Sequence, residues 1–100
     1  MSVFFGLRGS EFEWDENKAF SNEEKHQVSF ETACEVFFDP LARHGDASVD
    51  QEQREFILGC TFEHDVLLAV YVERGYRTRI ISARAATRAE RKRYYESTRD

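Results

Sequence analysis

One hundred residues with formal net charge −5, 14% aromatic side chains and a single Pro provide for one modest core and exclude a disordered linker. No run of about 18 apolar residues occurs, so no helix is expected to span a bilayer, and MSVFFGLRG has neither the basic start nor the apolar length of a signal peptide. The acidity argues against a nucleic-acid partner until the chain is divided after Val72. Residues 73–100 hold nine Lys and Arg against four Asp and Glu (+5), and residues 1–72 hold five against fifteen (−10).

Residues 1–10 are assigned no role. Glu11 to Asp15, EFEWD, alternates polar and apolar with Phe12 and Trp14 on one face, and reads as a half-buried strand. Asp15 then caps a helix over ENKAFSNEEKH, whose only apolar residues are Ala19 and Phe20. A helix this polar lies on the surface, where Lys18 and Lys25, two turns apart, project on one side. Ser29 opens a second helix, with Phe30, Ala33, Cys34, Phe37 and Phe38 in one apolar stripe, and Asp39-Pro40 stops it. LARHGDASVDQEQ has no clear period and reads as an exposed loop, which leaves His44 solvated. Cys34 and Cys60 lack metal-ligand spacing and fall on apolar faces, as free thiols of a cytoplasmic protein would.

Three β patterns follow. Arg54 to Phe62 places Phe56, Leu58, Cys60 and Phe62 inward; Val66 to Val72 is almost continuously apolar; Tyr76 to Ala83 places Arg77, Arg79 and Ile81 on one face. Glu63-His64-Asp65 and Glu73-Arg74-Gly75 are hairpin links, with His64 solvated and Gly75 at positive φ. Thr87 and Glu90 stand in capping-box spacing and open a last helix. Six of the eighteen residues from Arg79 to Glu96 are basic. A strand end delivering Ser82 and Arg84 beside a helix N-terminus brings a hydroxyl, a guanidinium and backbone N–H donors together, which suits a phosphate. The predicted fold class is α+β, a small antiparallel sheet with two N-terminal helices packed on it and a C-terminal helix.

The order and spacing of three blocks carry a resemblance. FEWDENK at 12–18 is followed by Asn22, Lys25 and His26; VSFE at 28–31 by Val36, Phe37, Asp39 and Pro40; RIISARAAT at 79–87 by Glu90, Arg91, Tyr94 and Tyr95. From Phe12 to about Glu96 the chain resembles the BrnT family of toxins, relatives of RelE-type ribonucleases. The resemblance implies a RelE-like single domain over 1–100, with 1–10 as an extra leader. It also implies an endoribonuclease that arrests growth, held by a BrnA-like antitoxin of ribbon-helix-helix type in a hetero-oligomer that meets operator DNA only through the antitoxin. Residue 27 departs from the pattern: Gln27 stands where the family usually has Gly. A left-handed Gln costs about 1 kcal/mol, so a differently shaped turn after Lys25 and His26 is expected.

Metal-free RNA cleavage needs a base for the 2′-OH, cations for the phosphorane and an acid for the leaving 5′-oxygen. Arg79 and Arg84 are assigned to the phosphate, Lys25 to a further cation, and His26, with an ordinary pKa of about 6.5, to acid–base work. Lys18, Arg54, Arg88 and Tyr94 are assigned to RNA binding. No cofactor and no metal are expected. Two other readings stand beside this one: a non-catalytic toxin relative that serves as antitoxin partner and corepressor, and a nucleic-acid-binding protein acting through the basic helix over 84–99.

Overall fold

The computed structural model describes residues 1–97. Its elements are β1 (Ser2–Leu7), β2 (Ser10–Asp15), α1 (Glu16–His26), α2 (Phe30–Cys34), β3 (Arg43–Asp46), β4 (Glu55–Cys60), β5 (Val66–Arg74), β6 (Arg77–Ala85) and α3 (Arg88–Ser97), with a 3-10 turn at Glu35–Phe38. The α+β class holds, and the sheet has six strands in the order β1-β2-β6-β5-β4-β3. It is mixed, which corrects the expectation of a purely antiparallel sheet: β2 runs parallel to β6, with Glu11, Phe12 and Glu13 beside Arg77, Thr78 and Arg79. No local pattern announces a pairing between strands more than sixty residues apart. The last two residues of the expected basic helix, 98 and 99, lie outside the described residues, as does residue 100.

Two strands fall where none was expected. The leader forms β1, joined to β2 through Arg8 and Gly9, which both take positive φ (50° and 86°) as a type I′ hairpin turn requires. The expected exposed loop contains β3, an edge strand paired with β4. Its sequence, RHGD, is polar because an edge strand with one face in water has no apolar alternation to show. His44 belongs to this strand, and its Nδ1 lies 3.1 Å from the Tyr71 hydroxyl, so it is partnered and not merely solvated.

Phe12, Trp14, Phe30, Ala33, Cys34, Val36, Ile57, Ala69, Ile80 and Ala83 form the main core between one sheet face and the α2 segment. Trp14 meets Phe30 edge-on at 5.8 Å, and Phe37 meets Tyr71 at 5.0 Å. Burying a side chain of Phe or Ile size contributes roughly 1.5–3 kcal/mol, which is why a helix of five residues persists without intrinsic stability of its own. The predicted stripe is right for Phe30, Ala33 and Cys34, and burial pushes the Cys34 thiol well above its ordinary pKa. In β4 the faces are reversed. Ile57 enters the main core, whereas Leu58 and Cys60 point to the other face, into a smaller cluster with Val66, Ala86 and Tyr94 beneath α3. Both faces of β4 are covered, so its alternation does not distinguish the larger core from the smaller.

A β-bulge decides the facing of β6. Val70 pairs with Ser82 and Tyr71 with Ile80, leaving Ile81 as the extra residue, so that Ile80 and Ala83 both enter the core. Beyond the short β2–β6 pairing, α1 runs along the vacated edge of β6. There Asn22 substitutes for a strand. Its side chain accepts the Ala83 N–H (3.1 Å), donates to the Ala83 carbonyl (2.8 Å) and donates to the Val28 carbonyl (3.1 Å).

Candidate functional site

The C-terminal turn of α1 borders the candidate site. Asp15 opens the helix by accepting the Lys18 N–H at 3.0 Å, a bond that leads in lowering its carboxyl below the usual range. At the other end Gln27 takes the left-handed conformation, φ 57° and ψ 31°. Its N–H reaches the Glu23 carbonyl at 2.8 Å and its side-chain amide the Glu24 carbonyl at 3.0 Å. The turn expected to change shape without Gly therefore keeps a left-handed cap, and the Gln amide offsets part of the strain.

Three hollows adjoin this helix. The first, about 390 Å³, is lined by Lys18, Lys25, His26, Asn22, Ile81 and Ser82. The second, about 380 Å³, lies on the other side of His26, which shares it with His64, Asp65, Arg91, Tyr95 and Thr32. The third, about 440 Å³, continues from the first through Lys18 and Ile81 to Arg54, Arg74 and Arg79. One chain of hollows thus gathers Lys18, Lys25, His26, Arg54 and Arg79, five of the predicted site residues, from α1, β6 and the segment before β4. His64 and Arg91 join them without having been foreseen. His64 stands in the link between β4 and β5 at φ 70°, and nothing in its local pattern marks a hairpin residue as facing the end of α1.

Arg79 is not a lone cation. Its Nη1 lies 2.5 Å from Glu13 Oε2, with Arg74 at 3.8 Å from the same oxygen, and the Glu13 side chain is only 8% exposed. A carboxylate buried to that extent needs such partners, and the trio keeps one net positive charge on the sheet face.

The remaining assignments are placed elsewhere. Arg84 grips Glu90 with both guanidinium nitrogens, at 2.8 and 3.0 Å. Glu90 also accepts the Thr87 N–H at 2.8 Å, while Thr87 Oγ1 accepts the Glu90 N–H at 3.2 Å, the reciprocal pattern of the predicted capping box. The Arg84 bond first, then the cap, holds the Glu90 carboxyl down at about 2, and the same bond raises the Arg84 pKa. The anion that the start of α3 attracts is the chain's own carboxylate, and Ser82 instead lines the first hollow with Lys25. Tyr94 is 4% exposed and sits in the smaller core, its hydroxyl donating to Asp39 Oδ2 at 2.5 Å. Burial and that bond raise the Tyr94 pKa. Burial would also raise Asp39, but the Tyr94 hydroxyl and the Cys60 and Leu41 amides outweigh it and hold its carboxyl below the usual range. Tyr94 therefore anchors α3, and Arg88 stays exposed on that helix, away from the lining of the three hollows.

A family model described as the ribonuclease toxin BrnT of type II toxin–antitoxin systems matches residues 14–90. The chain belongs to this family. No curated protein matches it. BrnT membership makes the chain a ribonuclease toxin, with RNA as its substrate and an antitoxin as its partner. Lys18, Lys25, His26, Arg54 and Arg79 all fall within the matched span, whereas β1 precedes it and Tyr94 follows it. Among the described residues no helix is long and apolar enough to cross a membrane.

Proposed function

We propose that this BrnT chain is a metal-independent endoribonuclease whose cleavage site lies at the C-terminal end of α1. The observation that carries the reading is that His26 lines two hollows at once, one with Lys18, Lys25 and Ser82, the other with His64 and Arg91. A phosphodiester lying across His26 meets cations on both sides, and two imidazoles border the second hollow. Transesterification by a 2′-OH calls for that set: one imidazole takes the hydroxyl proton, the other protonates the departing 5′-oxygen, and Lys25 and Arg91 stabilise the phosphorane charge. Lys18, Arg54 and the Arg79–Arg74 pair carry the flanking phosphates. The site's charged groups are mainly cations, which suits charge stabilisation by side chains. Arg84 acts in this scheme as a positioning residue that ties β6 to the start of α3, the helix that carries Arg91.

The finer parts of the reading rest on the resemblance: kinship to RelE-type enzymes, inhibition of translation in the cytoplasm, and a BrnA-like ribbon-helix-helix antitoxin. The left-handed turn that Gln27 keeps weighs against the non-catalytic alternative, toward which a Gln at that position and the acidic pI both lean. The test is cleavage of a defined RNA by purified protein with EDTA and without ribosomes, comparing wild type with His26→Ala, His64→Ala and Lys25→Ala. General acid–base groups contribute about 10²–10⁴-fold, so a loss of that size in the His26 variant, with native circular dichroism, is expected. Full activity in His26→Ala would remove the assignment, and activity that EDTA abolishes would remove the metal-free route.

A further inference from the structure

On the open face of the sheet, β1 and the β5–β6 hairpin bring two exposed rings to one guanidinium. Arg77 Cζ lies 4.5 Å from the Phe4 ring centroid and 4.6 Å from that of Tyr76. Phe4 is 59% exposed and Tyr76 74%. The hairpin link is Gly75-Tyr76, with Gly75 at φ 63°, the pattern of a type II′ turn, so Tyr76 is held at a tight corner. Arg77 Nε is buried without a hydrogen-bond partner, so aromatic faces rather than a carboxylate hold this guanidinium. Phe4 lies opposite Glu13, and Glu13 beside Arg79, so the Phe4 ring shares its face with Arg79, Arg74 and the hollow of Lys18 and Arg54.

The charge of this face selects its occupant. Lys18, Arg54, Arg74, Arg77 and Arg79 gather there against Glu11, Glu13 and Glu52, in a chain whose overall charge is −5. Phosphates fit the cations, and the flat faces of unpaired bases fit Phe4, Tyr76 and the Arg77 plane; a duplex keeps its base faces stacked inside. We propose that Phe4, Arg77 and Tyr76 form a base-stacking subsite for single-stranded RNA, lengthening the cationic track beyond the cleavage site. This rests on the ribonuclease reading above. Phe4 lies before the family-matched span, so the subsite depends on a strand that the match does not include.

The test is binding of a short, labelled, single-stranded 2′-O-methyl RNA, which lacks the attacking hydroxyl, followed by fluorescence anisotropy and by the emission of a 2-aminopurine placed along the strand. Loss of one stacking ring costs about 5- to 150-fold in affinity. Phe4→Ala and Tyr76→Ala are expected to show that loss and to abolish the 2-aminopurine change, while the aromatic exchange Phe4→Tyr with Tyr76→Phe keeps both. Should the double alanine variant fail to fold, Tyr76→Ala alone, at an exposed corner outside the core, carries the test. Wild-type affinity in the folded double variant, with wild-type protein still cutting RNA, overturns the subsite and leaves the ribonuclease reading standing. Wild-type protein that neither binds nor cuts RNA overturns both. Lost antitoxin binding with RNA affinity intact gives the face to the protein partner and likewise overturns the proposal.

Discussion

Replacing Asn22 tests how α1 is held against the sheet. Its side chain makes three hydrogen bonds, two to Ala83 and one to Val28, all buried. Alanine leaves one backbone N–H and two carbonyls without these partners. An unsatisfied buried group costs about 1–3 kcal/mol, and the adjoining hollow lets water reach part of the vacated space, so a net loss of about 2–4 kcal/mol is expected. That is a large share of the roughly 5–15 kcal/mol that holds a domain folded. At about 4–8 °C per kcal/mol for a chain of this size, the melting midpoint falls by roughly 8–32 °C. Asn22→Asp separates hydrogen bonding from volume. The introduced carboxylate accepts the Ala83 N–H but turns a second oxygen against two carbonyls, which raises its folded-state pKa. Its stability relative to wild type is therefore best below the ordinary Asp range near 3.9 and declines as pH rises through the raised value. Urea unfolding with a constant m-value and thermal melts from pH 3 to 7 measure both. A loss under about 1 kcal/mol for Asn22→Ala, or an Asp variant equal to wild type at neutral pH, refutes the strand-substitute account. Because α1 carries Lys18, Lys25 and His26, RNA cleavage by the folded Ala variant is also expected to fall.

Glu90→Gln keeps the capping box, which Gln also satisfies, and removes the ion pair with Arg84. A loss of about 1 kcal/mol is expected at neutral pH, discounted for partial exposure. Glu90 is held at about 2, so its stabilisation is complete above about 4.5 and lost as pH falls toward 2. Melting curves of the two proteins accordingly converge across that interval. Tyr94→Phe removes the hydroxyl on Asp39 and costs about 1.5–3 kcal/mol by denaturant unfolding. The raised Tyr94 pKa adds stability that is whole below pH 10 and lost above it, so the alkaline decline is shallower in the variant. Gln27→Gly is expected to be more stable than Gln27→Ala by about 1 kcal/mol, since only the Ala chain pays for a left-handed Cβ; equal midpoints would contradict the strained cap.

The sequence by itself determined the elements whose signals are local. Asp15, Ser29 and the Thr87–Glu90 box mark helix starts because a cap lies within three residues of the amide it serves. Phe30, Ala33 and Cys34 declare a buried face because helical period and burial coincide there. Block spacing carried the family, and with it a ribonuclease toxin. Only the tertiary structure decided which residues meet. The β3 edge has no apolar alternation to show, the alternate Val3, Phe5 and Leu7 of β1 gain a core face only once β1 pairs with β2, and the parallel β2–β6 pairing joins segments far apart in the chain. Arg79 and Arg84 look equivalent in RIISARAAT, yet one shares the sheet face with Glu13 and the other closes on Glu90. His64 faces the end of α1 only because a hairpin folds back there. A side chain's type is written in the sequence, but whether its charge is spent on a neighbour depends on contacts that form only when distant strands close into one sheet.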